Sequence, residues 1–302
     1  MRLCLPSKNL VFVGDLMTKK HFRLVWSAVI AALTFAYPAA AQMFYATGES
    51  TQQLDLVNFT TGAVTNLGSV GGRPDDLVLN AKGQVLYTVS STGTLQMYDP
   101  ATQQNTLLAN FGNAGPRDLI IEPGGNTVLV SLYGSGKLAR YNVTTGAVTI
   151  FPTKRIGSTM DGLVYDPAGN LFAVVSRNLL CQIDPKTGAI LQTLTLEPHL
   201  KTNGGDGIVY DPFTKNLWIT HDGTLGNGLI EVPLTETNPP LLGTPIWLQT
   251  GNIRVPDGIV SDSAGNLYIG EGLQFLTLYN IPSNTIVKRV KVKGIDSAVF
   301  VP

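Results

Sequence analysis

From Gln42 onward, apolar residues fall in short runs rich in Val, Ile, Leu, Tyr and Thr, separated by clusters of Gly, Asn, Asp and Pro. Few stretches carry the spacing of an amphipathic helix. Short apolar runs bounded by turn residues predict β-strands joined by hairpins. One phrase is clearest at Pro256-Asp257-Gly258-Ile259-Val260-Ser261-Asp262, continuing through Gly265-Asn266-Leu267-Tyr268-Ile269. It reads as a turn, a strand, a Gly-Asn turn and a second strand. The phrase returns at Pro74-Asp75-Asp76-Leu77-Val78, Pro116-Arg117-Asp118-Leu119-Ile120, Met160-Asp161-Gly162-Leu163-Val164 and Gly205-Asp206-Gly207-Ile208-Val209. A truncated copy, Asp296-Ser297-Ala298-Val299-Phe300-Val301, closes the chain.

A second phrase fills the other half of each repeat, as in Tyr141-Asn142-Val143-Thr144-Thr145-Gly146 and Ile183-Asp184-Pro185-Lys186-Thr187-Gly188. Asx side chains bond the backbone ahead of them, Pro sets φ and Gly supplies φ > 0, so this phrase is a turn between two more strands. Successive head residues Asp75, Arg117, Asp161, Asp206, Asp257 and Asp296 lie 42, 44, 45, 51 and 39 residues apart. Four antiparallel strands per repeat at that period make one blade of a β-propeller. The long repeat carries its excess near Thr235-Glu236-Thr237-Asn238-Pro239-Pro240, an outer loop. Met43-Phe44-Tyr45-Ala46-Thr47 matches the second strand of a blade with no first strand before it, and Asp296–Val301 is a first strand with no blade after it. Joining them predicts an all-β, six-bladed propeller of four-stranded antiparallel blades, its ring closed by the C-terminal strand within the N-terminal blade. A seven-bladed or open arrangement is the alternative.

Residues 1–41 read differently. Lys19, Lys20 and Arg23 precede an apolar run from Leu24 to Tyr37, and Ala39-Ala40-Ala41 supplies small residues for cleavage. This is the layout of a secretory signal peptide, with translation expected from Met17, and it predicts a periplasmic or secreted protein of residues 42–302 as one propeller domain. No other stretch approaches a membrane span. Without the leader, 16 basic residues face 20 acidic ones. A mildly acidic chain without basic clusters is poorly suited to nucleic acid, whose binding rests on neutralising phosphates. Cys181 would stand alone inside an apolar strand, as a buried small hydrophobe rather than a nucleophile.

In a propeller the first strand of each blade lines the central channel. Asp75, Arg117, Asp161, Asp206, Asp257 and Asp296 should therefore ring one mouth of it. The plainest reading of an Asp at a strand head is a turn residue capping its own backbone. Carboxylates crowded together, however, raise one another's pKa unless a cation neutralises them. Arg117 is a partial partner, and a hard cation such as Ca²⁺ held by Asp75, Asp161, Asp206, Asp257 and Asp296 is another. The second strands end on the same face, which brings Tyr133, Arg177, His221 and Glu271 to the rim, with His199 approaching just ahead of Asp206. Arg117, Arg177 and Tyr133 are candidate ligand-binding residues. Asp206, His221 and Glu271 are the candidate catalytic set, His221 and Glu271 as an acid–base pair on neighbouring blades.

The phrase Pro256-Asp257-Gly258 through Asp262 and Gly265-Asn266-Leu267-Tyr268-Ile269 resembles the NHL-type and SMP-30/gluconolactonase-like six-bladed propellers, and is similar to the streptogramin-lyase-like propellers. In the lactonase-like family the resemblance implies a divalent cation, commonly Ca²⁺, at the channel mouth, held by a Glu, Asn residues and an Asp. Asp257 matches that Asp, Asp206 lies in the nearest place to the family's Asn-Gly phrase, and Asp75 or Asp296 stands where the Glu is expected. The lyase-like family implies a His and Glu pair, for which His221 and Glu271 stand. Two functions follow as expectations. One is a binding module that takes a small molecule or protein at the channel mouth. The other is a metal-dependent hydrolase (lactonase) or lyase acting there.

Overall fold

The computed structural model describes residues 42–151, 156–196, 204–223, 226–248 and 253–301. Apart from one 3₁₀ turn at Gly112–Ala114, the regular structure among them is β. Blade 1 contains β1 (Met43–Gly48), β2 (Gln53–Asn58) and β3 (Ala63–Ser69). Blade 2 is β4 (Pro74–Leu79), β5 (Val85–Val89), β6 (Thr94–Asp99) and β7 (Gln104–Asn110). Blade 3 is β8 (Pro116–Ile121), β9 (Thr127–Leu132), β10 (Lys137–Asn142) and β11 (Val148–Phe151). Blade 4 is β12 (Met160–Tyr165), β13 (Leu171–Val175), β14 (Leu179–Ile183) and β15 (Ile190–Thr195). Blade 5 is β16 (Gly205–Asp211), β17 (Asn216–His221), β18 (Gly228–Val232) and β19 (Ile246–Leu248). Blade 6 is β20 (Pro256–Ser261), β21 (Asn266–Glu271), β22 (Phe275–Asn280) and β23 (Thr285–Lys291). The last strand, β24 (Ile295–Phe300), completes blade 1 by pairing antiparallel with β1, Phe44 opposite Phe300.

The six sheets are each four-stranded and antiparallel, and each inner strand touches the next all the way round from β4 to β24 and back. The six-bladed closure expected from the orphan strands is what the chain adopts. Burial peaks at the second strands and falls from there to the outer edge. The second strands β5 and β13 are buried at every position, whereas the fourth strands β3 and β11 are largely exposed. Continuous apolar runs suit strands covered on both faces. Six apolar clusters fill the six blade junctions. The closing junction is the most aromatic, with the Phe44 ring 4.5 Å from Phe300 and 4.8 Å from Tyr268. The outer turns use the expected Asx chemistry: Asn142 Oδ1 accepts the amides of Thr144 and Thr145, each at 2.9 Å.

One feature of the inner strands repeats without exception. In every blade the ladder between first and second strands slips by one residue at the same level, as where Pro74 faces Val89 but Leu77 faces Tyr87. The extra residue forms a β-bulge, which re-aims side chains and leaves backbone groups outside the ladder. A hydroxyl on the second strand serves those groups in four blades. Thr47 Oγ1 accepts the Ser297 amide at 3.1 Å and donates to the Asp75 carbonyl of the next blade at 2.5 Å. Thr88 accepts from Asp76 N and donates to Arg117 O, Ser131 takes Asp118 N at 2.9 Å, and Thr220 donates to Asp257 O at 2.6 Å. Blades 4 and 6 carry Val174 and Gly270 at the same level. At Gly270 the next blade comes close: a Cβ there would lie 2.0 Å from the Asp296 carbonyl oxygen.

These contacts join blades through the backbone. Thr220→Val leaves the Asp257 carbonyl without its donor and should cost about 1–3 kcal/mol in chemical denaturation. Gly270→Ala, which must push blade 1 away from blade 6, should cost more. Stability unchanged in both variants would show that the bulge junction does not hold the blades together.

Candidate functional site at the channel mouth

The bulges turn the head residues inward. Asp75, Arg117, Asp161, Asp206, Asp257 and Asp296 line one channel cavity of about 200 Å³. Because Pro74, Pro116, Gly205 and Pro256 pair with Val89, Leu132, His221 and Glu271, this level adjoins the ends of the second strands, as expected. Two of the head carboxyls pair with arginines. Arg117 Nη1 reaches Asp75 Oδ1 at 3.2 Å, and Arg177 Nη2 reaches Asp206 Oδ2 at 3.4 Å and Asp222 Oδ1 at 2.5 Å. Asp257 and Asp296 lie close enough to influence each other's protonation. Asp75 Oδ2 and Asp161 Oδ2 are buried with no hydrogen-bond partner among the described residues.

Capping falls instead to the residue behind the head. Asp76 and Asp118 occupy the position that is Gly162, Gly207 and Gly258 in three other blades and Ser297 in the last. Asp118 Oδ2 accepts the Leu163 amide of the next blade at 2.7 Å. Asp76 accepts Leu119 N of its neighbour at 3.4 Å and Ser297 Oγ at 2.5 Å. The three glycines are required by the same closeness: a Cβ on Gly162 would lie 2.5 Å from the Asp206 carbonyl oxygen. Asp76 and Asp118 escaped the reading of the sequence as site residues. The signal for them was the doubled Asp75-Asp76 and the Asp that replaces Gly after Arg117.

Electrostatics at the mouth follow from burial. Desolvation pushes Asp75 up to about 6 against the pull of Arg117, and Asp161 up to about 7 against Arg117 and Arg177. Burial together with Asp257 and Asp161 drives Asp206 well above the carboxylate range, and burial with Asp257 and Asp75 does the same to Asp296. Burial raises both Asp118 and Asp76, which also feel each other. Burial disfavours the charge on Arg117, yet Asp75, Asp206, Asp161 and Asp296 outweigh it and hold the guanidinium more firmly protonated. Its plane lies over the Tyr133 ring, 4.6 Å from the centroid.

The remaining rim residues divide. Arg177 sits in the tight turn between β13 and β14, where Ser176 and Arg177 both take positive φ (52° and 56°). Non-glycine residues adopt this conformation at a cost, and here it places the guanidinium over the ring. His221 is buried beneath the rim, its Nδ1 3.1 Å from Gly226 O and its ring edge-on to Trp247 at 4.7 Å. Burial lowers its pKa. Glu271 is held inside its own blade by Arg289, at 2.8 and 3.0 Å, by Thr277 Oγ1 at 2.5 Å and by the Arg254 amide at 3.0 Å. The ion pair with Arg289, 18 residues away on the fourth strand, gives Glu271 a structural occupation that its place beside the rim does not reveal. His199 lies outside the described residues. Cys181 is a buried free thiol.

The ring offers the oxygen donors that a hard cation prefers. The unpartnered oxygens of Asp75 and Asp161 fit that chemistry, but among the described residues no group of three or more His, Cys, Asp or Glu is placed to hold a metal ion.

No protein-family model matches the sequence, and no curated protein matches it. Solved structures do. A chain of a nidogen/laminin complex aligns at TM-score 0.69 and 13% identity, over 87% of this chain and 98% of that one. Virginiamycin B lyase from Staphylococcus aureus aligns at 0.61 and 16%, over 82% and 80%. A protein of unknown function from Bacteroides caccae aligns at 0.66 and 14%, over 87% and 99%. The chain has the six-bladed fold of the streptogramin-lyase-like propellers. At these identities the likeness is one of fold, and function has to come from the site.

Asp161 supplies a direct test of the site's electrostatics. A carboxyl raised from 3.8 to about 7 contributes stability that is full below about pH 4 and lost as pH rises through 7. The melting temperature should fall across that window, and Asp161→Asn should fall less. A variant with the full wild-type slope would contradict the assignment.

Proposed function

We propose that the propeller is an exported binding module whose channel mouth takes a positively charged ligand. The observation that carries this is the imbalance at the ring: five head carboxyls line the cavity with Arg117, and Asp161 Oδ2 is buried without a partner. A ligand cation entering there would offset the desolvation that keeps these groups protonated, and would release protons as it bound. Arg117, stacked on Tyr133, and Arg177, tied to Asp206 and Asp222, set which oxygens remain available. The leader expected from the sequence supports a place outside the cytoplasm, and no helix among the described residues is long and apolar enough to cross a membrane.

A second reading is a divalent-metal-dependent hydrolase or lyase. It is favoured by the oxygen donors of the ring and by the fold shared with virginiamycin B lyase. Ca²⁺ bound at the mouth would act as a Lewis acid, with Asp206 and His221 the residues to move a proton. Glu271 is less available for that role, since Arg289, Thr277 and the Arg254 amide engage its oxygens.

Thermal denaturation with a panel of ions at matched ionic strength tests the first reading. Ca²⁺, Mg²⁺ and methylammonium are compared with acetate and sulfate. A ligand at a hundred times its Kd stabilises by about 2.7 kcal/mol, a rise of about 5–10 °C for a domain of this size. At least one cation should produce such a rise, and Asp161→Asn should reduce it. No shift with any cation would overturn the reading.

A further inference from the structure

Behind the acidic ring the channel changes character. The third residue after each head residue is Val78, Ile120, Val164, Val209, Val260 or Val299, so all six blades place a β-branched apolar side chain at one level. All six are only partly buried and line the same cavity as the head residues. Between the two levels the polar groups are engaged: Asp118 with Leu163 N, and Asp76 with Leu119 N and Ser297 Oγ. The cavity is therefore amphipathic along its axis, with carboxyl oxygens at the mouth and an aliphatic collar further in. Asp161, 2% exposed, turns an unpartnered oxygen into the charged end.

Resting on the reading of the mouth as a cation site, we propose that its ligand is a primary alkylammonium bound tail first, with the ammonium in the carboxyl ring and the alkyl chain inside the collar of Val78, Ile120, Val164, Val209, Val260 and Val299. A bare metal ion would leave the collar unused. An ammonium group brings three N–H donors that can be shared among Asp161, Asp75 and Asp206, and its attached chain removes apolar surface from water. The polarity of the cavity also sets direction. A lysine side chain entering from the mouth would lead with its charge into the collar, so the fitting ligand is a free amine rather than a protein side chain.

The test is a calorimetric titration of the purified protein with n-alkylammonium chlorides from methyl to hexyl, with CaCl₂ and Nα-acetyl-lysine methylamide as further probes. A buried methylene is worth about 0.8 kcal/mol, so affinity should rise up to about fourfold per carbon until the collar is filled. Asp161→Asn should weaken every member of the series about tenfold or more. Val164→Thr with Val209→Thr should flatten the chain-length dependence while methylammonium binding is retained. The wild-type series decides the matter alone if the valine variants do not fold. A flat series, binding of Ca²⁺ without competition by alkylammonium, or acetyl-lysine methylamide binding more tightly than methylammonium would overturn the proposal and leave the mouth as a cation site. Absence of binding by every cation would overturn both.

Discussion

Each inner strand carries one residue more than its partner strand needs, and the chain must do something with the backbone groups and side chains that the bulge displaces. It sends the displaced backbone to its neighbours: Thr47 and Thr88 bridge the bulge amide of their own blade to the carbonyl of the next, and Thr220 donates onward to Asp257 O. Asp76 and Asp118 make the complementary reach to the amides of Leu119 and Leu163. Buried backbone polar groups must be paired somewhere, and here the pairing is between blades. The ring is thus held at its centre by hydrogen bonds, while the six apolar clusters hold it further out.

The same bulge creates the site. By turning one head residue per blade toward the axis, it brings five carboxyls and Arg117 into one cavity of about 200 Å³. The low local polarity makes ionisation costly, so protons and guanidinium groups supply most of the compensation. Strain accompanies the arrangement at Ser176 and Arg177, whose left-handed turn carries the second guanidinium to the rim. A scaffold fixed by inter-blade hydrogen bonds can sustain such a crowded carboxyl set, and on the proposed reading a cationic ligand would take the place of its protons.

The architecture was legible in the sequence because a strand–turn repeat near 44 residues leaves little choice, and because Met43–Thr47 and Asp296–Val301 each lack the half that the other provides. The head positions were legible for the same reason, as copies in register. The bolts were not. Thr47, Thr88, Ser131 and Thr220 look like ordinary strand residues, and only the three-dimensional junction shows that they stand at one level. The capping expected of the head Asp residues belongs to Asp76 and Asp118, one position on, since the bulge decides which side chain faces the neighbour. Glu271 read as a rim acid because its partner Arg289 lies two strands away across the sheet, a distance that local patterning does not encode. The ring of Val78, Ile120, Val164, Val209, Val260 and Val299 was in plain view as apolar strand sequence, but only closure makes it a collar.

The bulges hold a set of head carboxyls in a channel where burial makes their ionisation costly and lets them exchange protons for a cation on the proposed reading. Carbon-13 NMR titration of the aspartate carboxyls, with Asp161 assigned by comparison with Asp161→Asn, reads this directly. Asp161 should titrate near 7 and Asp75 near 6, far above an ordinary aspartate, and both midpoints should fall when a cation fills the mouth. Midpoints near 4 for both, unmoved by any cation, would contradict it.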